Sequence, residues 1–172
     1  VGFDEFAAAR LPALLRYAVM LTGDPHLAED LVQETMIRVH LKWRRVSGAD
    51  RPELYVKRML TNQYLGWRRG AWFRRTVLRN EISDGWRVTP DPAEVGAERD
   101  EMWLRLAGLP RRQRAAIVLR FYEGLTDSEI ADVLNVAVGT VRAHISRALV
   151  ALRGTFALER AARLAHTPGE RR

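Results

Sequence analysis

Cysteine is absent from this chain of 172 residues, which excludes disulfides and thiolate metal sites and suits a reducing compartment. No apolar run is long enough to span a bilayer, and no stretch has the plan of a secretory signal. No membrane insertion is therefore expected, and the chain is expected in the cytoplasm. Histidine is scarce, at four residues: His26, His40, His144 and His166. None belongs to an H-E-x-x-H pair, and no glycine-rich phosphate loop occurs. Nothing points to an enzyme, a cofactor or a metal. No strand alternation and no internal repeat is present. The chain opens on Val1 rather than methionine, and its natural start is expected upstream.

What is present is apolar residues for a core, at 47% of the chain, and a basic excess of +7 with a pI near 10.6. The excess is unevenly placed. Residues 1–37 are net −4, residues 38–79 are net +10 and residues 80–98 are net −4. Residues 99–137 balance, and residues 138–172 are net +5. Two basic blocks divided by an acidic stretch suggest two separate contacts with a nucleic acid.

Nearly every periodic segment reads as helix. The first runs from about Phe3 to Leu21, where Gly23 can close it in a left-handed conformation. Asp24 fits an N-cap, with Pro25 at the first helical position. Ala28, Val32, Met36, Val39 and Trp43 then form one apolar stripe, which leaves Asp30, Gln33 and Glu34 facing outward. Arg44–Glu53 reads as a loop. A third helix follows from about Pro52 to Arg69, burying Val56, Met59, Leu60 and Gln63 or Tyr64. Residues 80–97, with Pro90 and Pro92 and few apolar side chains, read as a flexible acidic linker. Beyond it come a helix over about 98–107 and another from Leu109-Pro110 to about Tyr122, ended by Gly124. The expected fold is all-α: two small helical domains joined by that linker, the second a helix-turn-helix.

The stretch "LTDSEIADVLNVAVGTVRAHISRALVALR", from Leu125 to Arg153, is the most informative. Thr126 and Glu129 make a capping box that starts a short helix. Asn135 suits the left-handed turn that ends it. Val141, Ile145, Leu149 and Leu152 line the buried face of a second helix from near Val138. Thr140, Arg142, His144, Ser146 and Arg147 fall elsewhere. This pattern fits a helix-turn-helix whose second helix enters a major groove. An ordinary helical hairpin with a solvated basic face fits the same pattern.

The stretch from Leu109 to Arg153 resembles the promoter-binding C-terminal domain of bacterial sigma factors. It does so through Leu109-Pro110, Arg114, Glu123-Gly124-Leu125, Glu129-Ile130-Ala131, Gly139-Thr140-Val141-Arg142 and Arg147-Ala148. Independently, "AEDLVQETMIRVHLKW" resembles the sigma helix that docks on RNA polymerase, and "YVKRMLTNQYLGWRR" the helix that opens the −10 element. The two in this order resemble the extracytoplasmic-function (ECF) sigma factors over about residues 3–155.

That resemblance implies a promoter-directing subunit of RNA polymerase, with residues 1–79 docking on the core enzyme and opening the −10 element. It makes residues 80–97 the linker, residues 98–155 the −35 reader and residues 156–172 a tail. Asp30, Gln33 and Glu34 would face the clamp helices of the β′ subunit, although a plain solvated face has the same composition. Asn62 would meet an unstacked base beside a loop at about Val46–Arg51, with Lys57, Arg58, Arg68 and Arg69 on the strand's backbone. Trp67 and Tyr64 either stack on bases or lie buried. Tyr55 stands where the family often has tryptophan. Thr140, Arg142, His144, Ser146 and Arg147 would face the −35 duplex. Ala137 replaces a serine that often caps that helix. The implied partners are core RNA polymerase (β′ clamp helices and β flap) and promoter DNA. An anti-sigma factor joins them as a candidate, since many relatives are held silent by one. The rival readings are a stand-alone helix-turn-helix regulator and a protein-binding adaptor, and the net +10 block argues against the adaptor.

Overall fold

The structure, a computed structural model, describes residues 2–67 and 105–165, with side chains described as far as Gly154. All regular structure among the described residues is helical. The first half comprises α1 (Phe3–Thr22), α2 (Pro25–Leu41), α3 (Trp43–Ser47) and α4 (Pro52–Gly66). The second comprises α5 (Arg111–Ile117), a π-helical segment (Val118–Tyr122), α6 (Asp127–Leu134) and α7 (Val138–Ala165). The linker expected at 80–97 and most of the helix expected at 98–107 lie outside the described residues, although residues 105–107 are helical.

Local chemistry sets the boundaries. Gly23 takes φ +72° and donates its N–H to Val19 O at 2.8 Å, closing α1. Asp24 then caps α2, its Oδ1 accepting from the N–H groups of His26 (2.8 Å) and Leu27 (3.1 Å). The sequence reading carries this helix through Trp43 and opens a loop at Arg44. The chain instead turns at Lys42, and a separate short helix, α3, carries Trp43 and Val46. The reason is packing. Val46 is fully buried, and the Trp43 ring sits 5.7 Å from that of Phe3 and 5.2 Å from that of Phe6. The sequence reading also carries α4 to Arg69, whereas α4 ends at Gly66.

The two halves share one apolar core. Tyr17, Leu21, Val32, Val56, Leu60 and Tyr64 of the first belong to the same cluster as Leu119, Leu125, Ile130 and Val141 of the second. Helix α4 packs on α6, and α1 on α5 and the π segment. Each fully buried aliphatic side chain contributes about 1.5–3 kcal/mol relative to exposure. A surface ion pair contributes about 0–1 kcal/mol. Apolar contact is therefore the main force joining the halves.

Two arginines set the register of that contact. Helices α1 and α4 both end without a basic residue in their last turn. Helix α5 supplies the missing cations from the other half. Buried Arg114 donates from Nη1 to Leu21 O at 2.8 Å and from Nη2 to Ala107 O. Arg111, one turn earlier, donates to Tyr64 O at 3.3 Å and to Trp67 O, and its guanidinium lies 5.4 Å from the centre of the Tyr64 ring. Cations are favourable at helix C-termini, where carbonyls lack partners and the dipole is negative.

Candidate nucleic-acid interface

The first candidate surface is built on α4. Thr61 is buried and fixes the helix twice: its hydroxyl lies 2.6 Å from the Tyr17 hydroxyl on α1 and bonds back to Lys57 O at 2.8 Å. With that face inward, Arg58 and Asn62 are exposed one turn apart on a single stripe. An asparagine amide there can donate and accept toward a base edge, and the arginine can hold a phosphate. Lys57 lies one residue round the helix and does not join them. It is half-buried and pairs with Glu123 of the second half. Arg68 and Arg69 lie outside the described residues. Tyr64 is buried and offers no stacking face, while Tyr55 and Trp67 are half-buried.

A groove of about 880 Å³ runs beside the loop before α4, with Phe6, Trp43, Asp50, Arg51, Glu53, Lys57 and Glu123 in its wall. Its three basic residues are all engaged by carboxylates. Arg10 pairs with Glu53, Arg51 with Glu129 and Lys57 with Glu123. Two of those carboxylates belong to the second half.

The second surface is the α6–α7 hairpin. Glu129 N donates to Thr126 Oγ1 at 3.3 Å, and Thr126 N donates to Glu129 Oε2 at 2.9 Å, completing the capping box. These bonds, that of the Thr126 backbone first and then that from Arg51, hold the Glu129 carboxyl below its ordinary pKa. Asn135 adopts φ +53° and ends α6. At the start of α7 the Ala137 carbonyl accepts from Thr140 N (2.9 Å) and Val141 N (3.2 Å). Its methyl side chain supplies no capping oxygen.

With Val141 and Ala148 buried, the residues predicted to face DNA divide into two stripes at 100° per residue. Thr140, His144 and Arg147 form one; Arg142 and Ser146 form the other. All are exposed except His144, which is half-buried, with Nδ1 buried and without a hydrogen-bond partner among the described residues. Its pKa is lowered, by desolvation first and then by the charges of Arg112 and Arg147. The ring is therefore neutral at neutral pH and acts there as a hydrogen-bonding surface, not as a cation.

The docking candidates lie on α2. Gln33 is exposed, Asp30 and Glu34 are half-buried, and Glu34 accepts a hydrogen bond from buried Gln63, the neighbour of Asn62. Beyond them on the same helix, Ile37 and Leu41 are 62% and 78% exposed. Sequence reasoning passed over these two. The available signal was that both are large apolar residues off the Ala28–Val32–Val39 stripe. Phe121, 65% exposed within the π segment, was also missed. It carries no sequence signal, because the register there depends on the widened turn. Among the described residues, no group of three or more metal-ligating side chains could hold an ion.

Residues 6–74 match the family model described as Sigma-70 region 2, and residues 99–152 match Sigma-70, region 4. The chain is similar to the RNA polymerase sigma-E factor of Streptomyces coelicolor, at 31% identity over 153 residues, covering 88% of this chain and 84% of that protein. It is similar to the ECF RNA polymerase sigma factor SigL of Mycobacterium tuberculosis at 36% identity over 160 residues, covering 90% and 86%. Among solved structures it resembles sigma factor RpoE in complex with the anti-sigma factor NepR from Bartonella quintana. The TM-score is 0.68 at 25% identity, over 88% of this chain and 94% of that one.

Proposed function

The chain belongs to the extracytoplasmic-function (ECF) group of RNA polymerase sigma factors, and from that membership we propose how its own residues divide the work. It binds core RNA polymerase and directs promoter-specific initiation. It performs no covalent chemistry and works in the cytoplasm, beside the polymerase. Residues 1–79 form the docking and −10 module, 80–97 the linker, 98–155 the −35 module and 156–172 a tail.

The observation that carries this division is the presence, on one chain, of two separate exposed polar faces. Arg58 and Asn62 make one on α4; the other is on α7, where Thr140 and Arg147 line one side and Arg142 and Ser146 another. The α7 face reads the −35 duplex, where arginine suits guanine edges and phosphates. The α4 face holds the melted −10 strand, Asn62 on a base and Arg58 on the backbone, with Arg68 and Arg69 following. Unstacking a base costs a few kcal/mol, which these contacts offset. Lys57 joins them only when Glu123 releases it, so the engaged state exchanges the carboxylates of the second half for phosphates. RpoE of Bartonella quintana is seen with an anti-sigma factor, and such a partner would hold the two halves of this chain together, with Lys57 on Glu123.

The α2 face docks on the polymerase through Asp30, Gln33 and Glu34. Anisotropy of the labelled chain with core polymerase tests this. Gln33→Ala, at an exposed position, weakens core binding and leaves binding to an isolated −35 duplex unchanged. Equal loss of both would assign Gln33 to the fold.

A further inference from the structure

Arg142 is the fifth residue of α7, and its side chain is 71% exposed, yet it is not free to swing. Its Nε donates to Asp127 Oδ2 at 3.0 Å. The other oxygen of that carboxylate, Oδ1, accepts from Arg120 Nη2 at 2.6 Å. Arg120 is anchored in turn, its Nη1 donating to Leu125 O at 3.0 Å. The relay runs from a backbone carbonyl through Arg120 and Asp127 to Arg142. Only its last link is well exposed; the Asp127 side chain is 20% accessible. Asp127 also lies in the first turn of α6, where the helix dipole favours a carboxylate.

We propose that Asp127 is the positioning residue that makes Arg142 a reader of a guanine edge. This rests on the reading of α7 as the −35 helix. A guanidinium has five N–H donors in a planar fork. With Nε–H spent on Asp127, the Nη1 and Nη2 groups form the outer side of the fork and have no other partner among the described residues. Two parallel donors match the O6 and N7 acceptors that guanine shows in the major groove. The carboxylate also selects against a phosphate. It offsets the charge of Arg142, lowering its value as a counterion, and would itself repel a phosphate drawn close. Directional donors with a muted charge suit a neutral base edge. Arg147, which no carboxylate among the described residues engages, suits the backbone.

The test is selection from a duplex library randomised across the −35 region, with wild type, Arg142→Ala, Asp127→Ala and the double variant, each checked for unchanged thermal unfolding. Wild type selects guanine at one position. Arg142→Ala loses that preference, and Asp127→Ala loses about ten-fold of it at the same position only. The double variant is no worse than Arg142→Ala. Asp127→Ala that keeps the guanine preference, while Arg142→Ala loses it, overturns the role of Asp127 and leaves the reading of α7 standing. So does a loss spread over all positions, which is the mark of a structural role. If Arg142→Ala itself keeps every preference, it is the base-reading role of Arg142 that fails.

Discussion

Arg114 of the second half donates from Nη1 to the carbonyl of Leu21 in the first, at 2.8 Å across 93 residues of sequence. The contact supplies a cation to the C-terminal end of α1, which has none of its own. It is made by a buried guanidinium whose Nε finds no partner among the described residues. Desolvation, the first cause, lowers its pKa, yet an arginine remains charged in a protein. The burial of that charge is tolerated because two backbone carbonyls receive it.

Arg114→Ala is accordingly expected to lower stability by about 1–3 kcal/mol, the range for a hydrogen bond to a charged group. Arg112→Ala, at an exposed position two residues away, changes it by less than about 0.5 kcal/mol. Denaturant unfolding of the two variants checks this. Small-angle scattering adds a second reading, since loosening of the halves raises the radius of gyration of Arg114→Ala alone.

Glu123 holds Lys57, a residue proposed to touch the −10 strand. Glu123→Gln removes the competing charge and raises the affinity of the free chain for a −10 single strand several-fold at low salt. The gain fades as salt rises and screens the pair. Anisotropy on a labelled oligonucleotide measures it, and Lys57→Gln should abolish the gain.

The Glu129 carboxyl is held below its ordinary value of 4.5 by the Thr126 backbone first and then by Arg51. Its stabilising effect is therefore fully present above the unfolded value and is lost as pH falls through the lowered, folded one. Thr126→Ala removes the hydroxyl half of the capping box and costs about 1 kcal/mol near neutral pH; it keeps the backbone N–H that bonds Glu129, so it flattens the decline of stability below pH 4.5 only in part. Thermal unfolding followed across that pH range checks both effects.

His144 and Arg147 lie on one stripe of α7 but differ in charge. Because the His144 pKa is lowered, the ring is neutral above about pH 6.5 and contributes no counterion release there. Arg147→Gln should reduce the slope of log affinity against log salt by about 0.9, the value of one phosphate contact. His144→Gln should leave the slope unchanged at pH 7.5, and should alter it only as pH falls and the wild-type ring gains its proton.

The capped boundaries were legible in the sequence because their chemistry is local. Gly23, Asp24, Thr126 with Glu129, and Asn135 each act within a few residues, and all four act as their types dictate. Helix α3 was not legible: Arg44 and Arg45 look like loop residues, and only the burial of Val46 and the rings around Trp43 make that segment helical. Lys57 could be placed on the correct helix, but its capture by Glu123 depends on contact between halves, which no local pattern encodes. The same holds for Arg111 and Arg114. They were visible as basic residues, while their carbonyl partners in the first half lie more than forty residues away. The sequence reading gave Asp127 no role; its bonds to Arg120 and Arg142 appear only once the hairpin is closed.

The central claim is that this chain directs polymerase to a promoter and opens it through Asn62. Run-off transcription with core polymerase, paired with permanganate footprinting of the same promoter fragments, tests it most directly. Wild type is expected to give a discrete transcript and reactive thymines at −10. Asn62→Ala is expected to retain the closed complex and lose most of the reactivity. No specific start from any candidate promoter, or an equal loss of closed-complex binding and opening in Asn62→Ala, would contradict the account.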